Sequence, residues 1–183
     1  MATLRITAGV LRGRRLPVPP HDVRPTSERA RQAYFNIVAD RIAGARFLDL
    51  FAGSGIFSFE AVSRGASSAV ALDSSRANVA AIVRQAGEWQ VPVRAVVANI
   101  PEGIERAAAD VHDLIYADPP YDYDRYDDLL TVLDTRTALA PDALVAVEHR
   151  RRTEPFTIEP SRLRFTRRAE YSEVWISFFE ANE

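Results

Sequence analysis

Between residues 46 and 147 the chain switches repeatedly from a short, uninterrupted apolar run to a longer stretch with helical spacing, and that rhythm limits the fold more than any other feature. The apolar runs are Phe47-Leu48-Asp49-Leu50, Ala69-Val70-Ala71-Leu72-Asp73, and residues 93–98, 111–117 and 143–147. Helical patterns over residues 55–64, 75–87, 102–109 and 123–133 separate them. Strands that are apolar throughout, rather than alternating, are covered on both faces, as in a parallel sheet with helices on either side. The alternation therefore predicts a doubly wound α/β domain.

The two ends break the rhythm. Residues 163–168 and 173–179 alternate with period two, so Val174, Ile176 and Phe178 share one face and Trp175 and Phe179 the other. These runs predict an antiparallel hairpin that closes the sheet. At the start, Leu4-Arg5-Ile6-Thr7 and residues 10–16 flank Ala8-Gly9, which predicts a short β-hairpin with arginines on one face. Pro17, Pro19 and Pro20 end it. A helix follows Pro25, capped by Thr26 or Ser27, with Ala30, Tyr34, Ile37 and Val38 as its buried stripe. The expected division is a hairpin extension over residues 1–20 and the main domain over 21–183.

With 183 residues and no cysteine, disulfides, thiolate zinc sites and thiol nucleophiles are excluded. No run reaches the roughly 18 apolar residues of a membrane span, and no secretory signal is visible, so the expectation is a soluble cytoplasmic protein. His21, His112 and His149 are scattered, and Asp122, Asp124, Asp127 and Asp128 read as a solvated helix start, so no metal is expected. Net charge is −2, but it is unevenly spread, and every cation is an arginine. Residues 1–31 carry seven Arg against two acids, residues 150–168 seven against two, and residues 101–148 three against twelve. A basic face beside an acidic middle suits a protein that grips phosphates with one part and works with another. Arg5, Arg12, Arg14 and Arg15 of the hairpin are the candidate contacts to nucleic acid.

The turn after the first apolar run reads Asp49-Leu50-Phe51-Ala52-Gly53-Ser54-Gly55. Glycines let the backbone turn sharply and approach a ligand, at the carboxyl end of a parallel strand where open α/β sheets bind ligands. A dinucleotide loop would need glycine at position 58, where Ser58 stands. An acid just before the glycines, Asp49, suits a ligand with a cationic amino-acid end and no phosphate; the alternative is that Asp49 simply caps the helix. Asp73, at the end of the next strand, is placed to accept from ribose hydroxyls, and Asn99 to meet an adenine edge.

After the fourth run comes Asp118-Pro119-Pro120-Tyr121. Two prolines fix φ and remove two backbone donors, so the Pro119 carbonyl and the Asp118 carboxylate form a rigid pair of acceptors matched to the two hydrogens of an amino group. Tyr121 offers a ring on which a base can stack. An exocyclic amine is conjugated with its ring. Acceptors that draw on its hydrogens pyramidalise the nitrogen and stabilise the positive charge that develops there as it attacks an electrophile. The bland alternative is a proline-rich turn ending a strand.

These residues resemble the amino-methyltransferases of nucleic acids, and most closely the bacterial RsmD family. The resemblance is carried by Arg24-Pro25-Thr26 with the helix to Phe35-Asn36, by residues 47–55, by Glu60-Ala61-Val62-Ser63-Arg64-Gly65-Ala66, by Ala117 to Tyr121, and by Arg5-Ile6-Thr7-Ala8-Gly9 and Arg12-Gly13-Arg14. It implies a Rossmann-like, seven-stranded class I methyltransferase sheet with a terminal antiparallel hairpin, and S-adenosylmethionine as donor. It implies transfer to N2 of one guanine of 16S rRNA, position 966, in the small ribosomal subunit or an assembly intermediate, by a monomer. Arg24 and Thr26 would help hold the donor's amino-acid end, together with Asp49, Phe51, Gly53, Gly55, Asp73 and Asn99. Tyr121 stands where many relatives carry Phe, and the family's late Tyr-Gly appears as Tyr171-Ser172. A DNA adenine-N6 methyltransferase and a non-catalytic RNA-binding or assembly protein on the same scaffold are the alternatives.

Overall fold

The structure, a computed structural model, describes residues 3–18, 28–151, 155–171 and 174–182. In chain order its elements are β1 (Thr3–Arg5), β2 (Arg15–Pro17), α1 (Glu28–Ile37), β3 (Arg46–Leu50), α2 (Ile56–Ser63), β4 (Ser68–Asp73), α3 (Arg76–Trp89) and β5 (Val93–Val97). There follow α4 (Ile104–Ala107), β6 (His112–Ala117), α5 (Tyr126–Thr135), β7 (Leu139–Arg150), β8 (Leu163–Glu170) and β9 (Val174–Ala181). The main sheet has seven strands in the order β5-β4-β3-β6-β7-β9-β8. Strands β3 to β7 pair in parallel; β9 runs antiparallel to β7 and to β8. The parallel core and the antiparallel closing hairpin are as the strand rhythm and the terminal period-two runs predict, and together they make the seven-stranded class I methyltransferase sheet that the resemblance implies.

Both sheet faces are packed. Phe47, Leu114, Tyr116, Ala146, Ile176 and Phe178 point to the side of α1, α2 and α3. Leu48, Leu50, Ile115, Val145, Val147 and Phe179 point to the side of α4 and α5. That two-sided burial is why β3, β4 and β6 read as unbroken apolar runs.

The N-terminal segment departs from the expected hairpin. The second strand is confined to Arg15–Pro17 instead of starting at residue 10, and the turn is not at Ala8-Gly9. Residues 3–5 pair with 15–17, and Ile6 extends the hairpin by bonding to Arg14 and Gly13 at 2.9 Å. Gly9 and Gly13 take left-handed φ values of 79° and 88°, which interrupts any strand. The intervening loop folds onto α2: Val10 N–H donates to the Ser63 carbonyl at 2.9 Å and Leu11 N–H to the Ser63 hydroxyl at 2.9 Å. A Cβ on Gly9 would lie 1.7 Å from the Ser63 carbonyl oxygen, so no other residue fits there. Ile6, Leu11 and Leu16 consequently join the main core.

Glu60 of α2 is the fastening. Fully buried, it accepts from Thr7 N–H (3.0 Å), Ala8 N–H (3.2 Å) and Arg64 Nε (2.9 Å), and it faces Arg31 Nε of α1 at 3.7 Å. Arg31 is itself buried, its Nη2 donating to the Arg5 carbonyl at 2.8 Å. The helical stripe on α1 therefore includes Arg31 and Phe35 beside the expected Ala30 and Tyr34. Elsewhere α4 is shorter than its pattern suggests, because Ala108 leaves helical geometry at φ −130°. Strand β7 is longer, running on to Arg150.

Candidate active site

Three neighbouring strands end at one level. Leu50 of β3 pairs with Leu72 of β4 and with Ala117 of β6, so Phe51, Asp73 and Asp118 leave the sheet side by side, about 4.8 Å apart from strand to strand. Asp118 N–H donates to the Leu50 carbonyl at 3.3 Å, and Ala52 N–H to the Leu72 carbonyl at 3.0 Å, which ties both turns to the sheet. Here the winding reverses, with β4 on one side of β3 and β6 on the other, and that is where such sheets open a ligand crevice.

The loop from β3 to α2 is held in an uncommon shape. Phe51, Gly53 and Gly55 have φ values of 61°, 53° and 75°. For Phe51 a left-handed φ stores strain of order 1–3 kcal/mol, a cost typical of functional turns. Its ring rests edge-on against Tyr123 at 5.2 Å. A Cβ on Gly55 would come within 2.9 Å of the Ile82 side chain at a left-handed φ, so any other residue would strain the loop. Asp73 braces the turn: its Oδ2 accepts from Gly53 N–H at 2.8 Å, and its Oδ1 from Ser75 N–H at 2.7 Å and Asn78 Nδ2 at 3.3 Å. Asn99 is exposed just beyond β5, its carbonyl accepting from Gly103 N–H at 2.7 Å. Arg24 and Thr26 lie outside the described residues.

Asp49 is buried at the start of the helix. It is 2% exposed, and its Oδ2 accepts from Ser58 N–H (3.0 Å) and the Ser58 hydroxyl (2.7 Å), closing the first turn of α2. Among the described residues it has no ion pair. Burial pushes its carboxyl up to about 7, Ser58's hydrogen bonds oppose the shift, and the charges of Asp118 and Asp73 add to it. A buried acid in this position, surrounded by acids, is stabilised by a cation. The residues present therefore fit the ammonium of S-adenosylmethionine.

At the corner, Pro119 is buried while Pro120 and Tyr121 are exposed. The Pro120 carbonyl is taken by Tyr123 N–H at 2.9 Å, whereas the Pro119 carbonyl receives no hydrogen bond among the described residues, as an acceptor kept for a ligand requires. Asp118 is half-buried. Tyr121 is 41% exposed, with the Arg150 guanidinium 4.5 Å from its ring centre.

Two participants have no counterpart among the residues that the motifs single out. Glu148 of β7 is buried behind the corner, accepts from the Tyr116 hydroxyl at 2.6 Å, and is pushed up to about 8 by burial and by the charge of Asp118. Arg150, two residues on, covers Tyr121. The available signal is a charged residue directly following the apolar run 143–147.

The hairpin arginines do not converge on this corner. Arg5, Arg12, Arg14 and Arg15 are exposed. Arg14 lies over Trp89, at the end of α3, and the hairpin tip sits on Ser63, at the end of α2. Both helices run downward from the crevice, and the eight residues of α2 rise about 12 Å. The tip therefore sits near the opposite end of the sheet.

The sequence matches the model of a family described as conserved hypothetical protein 95 over residues 4–180. The ribosomal RNA small subunit methyltransferase D of Escherichia coli (strain K12) is 33% identical over 146 residues, covering 79% of this chain and 74% of that protein. The YlbH protein of Bacillus subtilis (strain 168) is 30% identical over 183 residues, covering 97% and 98% of the two chains. Among solved structures, yhhF of Escherichia coli superposes with a TM-score of 0.85 at 29% identity, over 99% of each chain. With a glycine turn and an Asp-Pro-Pro-Tyr corner standing together at the winding reversal, and a match across nearly its whole length, the chain belongs to this family, that of the RsmD methyltransferases.

Proposed function

We propose that this chain transfers a methyl group from S-adenosylmethionine to N2 of a guanine in 16S rRNA, within the small ribosomal subunit or one of its assembly intermediates, as a cytoplasmic monomer. The observation that carries the reading is the adjacency of the two turns, with Asp118 hydrogen-bonded through its N–H to Leu50 at the start of the glycine loop. A ligand seated on that loop and an amine seated on the corner are immediate neighbours.

S-adenosylmethionine supplies an electrophilic methyl on a sulfonium centre. Asp49 attracts the ammonium end, Gly53 and Gly55 admit the ligand to the backbone, and Asp73 and Asn99 serve the ribose and adenine. Arg24 and Thr26 complete the amino-acid end on the family resemblance. The target guanine leaves its stack to enter and lies on Tyr121. The Asp118 carboxylate and the Pro119 carbonyl accept its two N2 hydrogens and turn the nitrogen lone pair toward the methyl carbon. As the N–C bond forms and the C–S bond breaks, one N2 proton departs through Asp118 to solvent. Fixed acceptors of this kind are worth about 10²–10³ in rate, and positioning can contribute roughly 7–11 kcal/mol. No strong base is needed, because the methylated amine is acidic. Residues 1–20 act as an outer RNA-binding extension and residues 21–183 as the methyltransferase domain. Among the described residues no helix is long and apolar enough to cross a membrane, and no cluster of His, Asp or Glu could hold a metal ion.

The test is to incubate the protein with labelled donor and unmodified small subunits, digest the RNA and identify the labelled nucleoside. N2-methylguanosine is expected. Label in N6-methyladenosine of duplex DNA would favour the DNA enzyme, and absence of donor binding by calorimetry would favour the non-catalytic scaffold.

A further inference from the structure

Beyond Arg150, which covers Tyr121, the second basic stretch of the sequence stands apart from the corner, yet the fold carries it to the same height. β8 is the outermost strand of the sheet. Register runs from Ala117 of β6 to Val147 of β7, Ser177 of β9 and Arg168 of β8. Arg168 is therefore three strand spacings, about 14 Å, from the residue preceding Asp118.

A bulge shapes this edge. Phe165 pairs with Phe179 and Arg167 with Phe178, so Thr166 has no partner in the ladder. One extra residue shifts the alternation: Arg167 turns over Phe178 on one face, and Arg168 joins Phe165 on the other. There the Arg168 guanidinium lies 4.7 Å from Trp175 and 6.0 Å from Phe165. The side chains of Phe156, Ile158, Phe165, Phe179 and Arg168 border a cleft of about 560 Å³, whereas Arg164 alternates to the opposite face and pairs with Glu180 at 3.5 Å. Phe165 is 49% exposed and packs edge-on against Phe179 at 5.7 Å. From this cleft an aromatic path returns to the donor loop through Phe156, Tyr126, Tyr123 and Phe51, each ring within 6 Å of the next.

We propose that this edge is a second RNA site, which seats an unpaired nucleotide near the target guanine with its base on Phe165 and Phe156 and its phosphate on Arg168. The inference rests on the rRNA reading of the corner. Arginine beside an exposed aromatic ring is how proteins hold single strands without base readout. The volume suits a base. The span to Ala117 is covered by about four nucleotides at the stacked spacing of 3.4 Å, and by fewer when the strand is stretched. A bulged, arginine-studded edge is poorly suited to accept a further β-strand, which weighs against a peptide as occupant.

The test pairs Arg168→Gln with Phe165→Ala, two positions remote from the corner, after checking that thermal unfolding is unchanged. Methylation is measured against subunit concentration at several salt levels, donor binding by calorimetry, and binding to a protein-free 16S rRNA fragment by filter retention. Expected are a rise in KM and in the fragment's Kd of about tenfold, unchanged kcat and donor affinity, and a salt slope shallower by roughly 0.7 for each phosphate no longer gripped. Phe165→Trp, which keeps a ring, should retain the parent's KM. If the parent methylates rRNA and the double variant keeps its KM and slope, the edge site is overturned alone. A weakening confined to whole subunits and absent on naked RNA would make the partner a ribosomal protein and overturn it too. A parent that methylates no rRNA overturns the substrate reading and the edge site with it.

Discussion

The crevice and the two ends of the chain divide the charge between them in opposite ways. Around the ends of β3, β4, β6 and β7 stand Asp49, Asp73, Asp118 and Glu148, all of them sheltered. On the terminal hairpins stand Arg5, Arg12, Arg14, Arg15, Arg164 and Arg168, all exposed except Arg168, which is half-buried. Sheltered acids shift with burial and respond to pH. Exposed guanidinium groups never titrate in the working range, and they act through counterions. The two regions should therefore answer to different variables, the centre to pH and the rims to salt, and each variant below tests that separation.

The largest effect is expected at Asp118. Asp118→Ala removes one of the paired acceptors while leaving the glycine loop intact, and single-turnover transfer should fall by about 10³-fold, the upper range for one preorganised group. Donor affinity by calorimetry should stay within about threefold of the parent's, a shift of under 1 kcal/mol. A comparable fall in donor binding would make Asp118 part of the cofactor site rather than the amine site.

Next comes the joint between the two regions. Glu60→Ala strands the buried Arg31 guanidinium and leaves Thr7 and Ala8 N–H without their acceptor. Removing one partner of a buried pair costs about 3–5 kcal/mol, read as a lower urea midpoint at constant slope. Retained stability would mean that Arg31 is hydrated in solution and the joint is loose.

These two sites differ in how legible they are in the sequence. Asp118 announces itself, because Asp-Pro-Pro-Tyr after an apolar run has few other uses, and the parallel strands are readable for the same reason: two-sided burial leaves an uninterrupted apolar signature. Glu60 and Arg31 give no signal of their burial, since a charge on each of two separate helices looks solvated until the hairpin is seen to cover both. The hairpin is misleading because alternation from Val10 to Leu16 matches a strand, while Gly9 and Gly13 bend the chain onto Ser63. Phe165 and Arg168 are hidden by the bulge, which breaks the period-two rule on which strand faces are assigned. Asp49 fits either a cofactor role or a helix cap by sequence; its hydrogen bonds serve the helix, and its lack of an ion pair among the described residues suits the cofactor.

The pH dependence should belong to the centre. Asp49 holds its proton up to about 7, against an ordinary 3.8, and Glu148 up to about 8, against 4.5. Between about pH 4 and 8 the folded chain thus binds more protons than the unfolded one, so the free protein loses stability as pH rises through that window. A cationic donor favours ionised Asp49, so its affinity should climb about tenfold per pH unit below 7 and level off above. Calorimetry from about pH 5.5 to 8 should show this for the parent and a flat, weaker profile for Asp49→Asn. A sloping profile in that variant would assign the titration to another group.

The smallest effect is expected at the N-terminal hairpin, where the separation is most exposed to failure. Arg12 has no partner among the described residues, whereas Arg14 lies over Trp89 and Arg15 donates to the Thr3 hydroxyl at 3.1 Å. Because the tip sits near the far end of α2, these side chains can reach only RNA that wraps past the sheet. Arg12→Ala with Arg14→Ala and Arg15→Ala should weaken RNA binding by about fivefold at low salt, less as salt rises, because each phosphate left ungripped flattens the salt slope by roughly 0.7. Donor affinity should keep the parent's pH profile, since no titrating group has changed. If the triple variant matched the parent at every salt concentration, the rim would be reduced to the C-terminal edge, and the hairpin's role would be to cover α2 and Glu60.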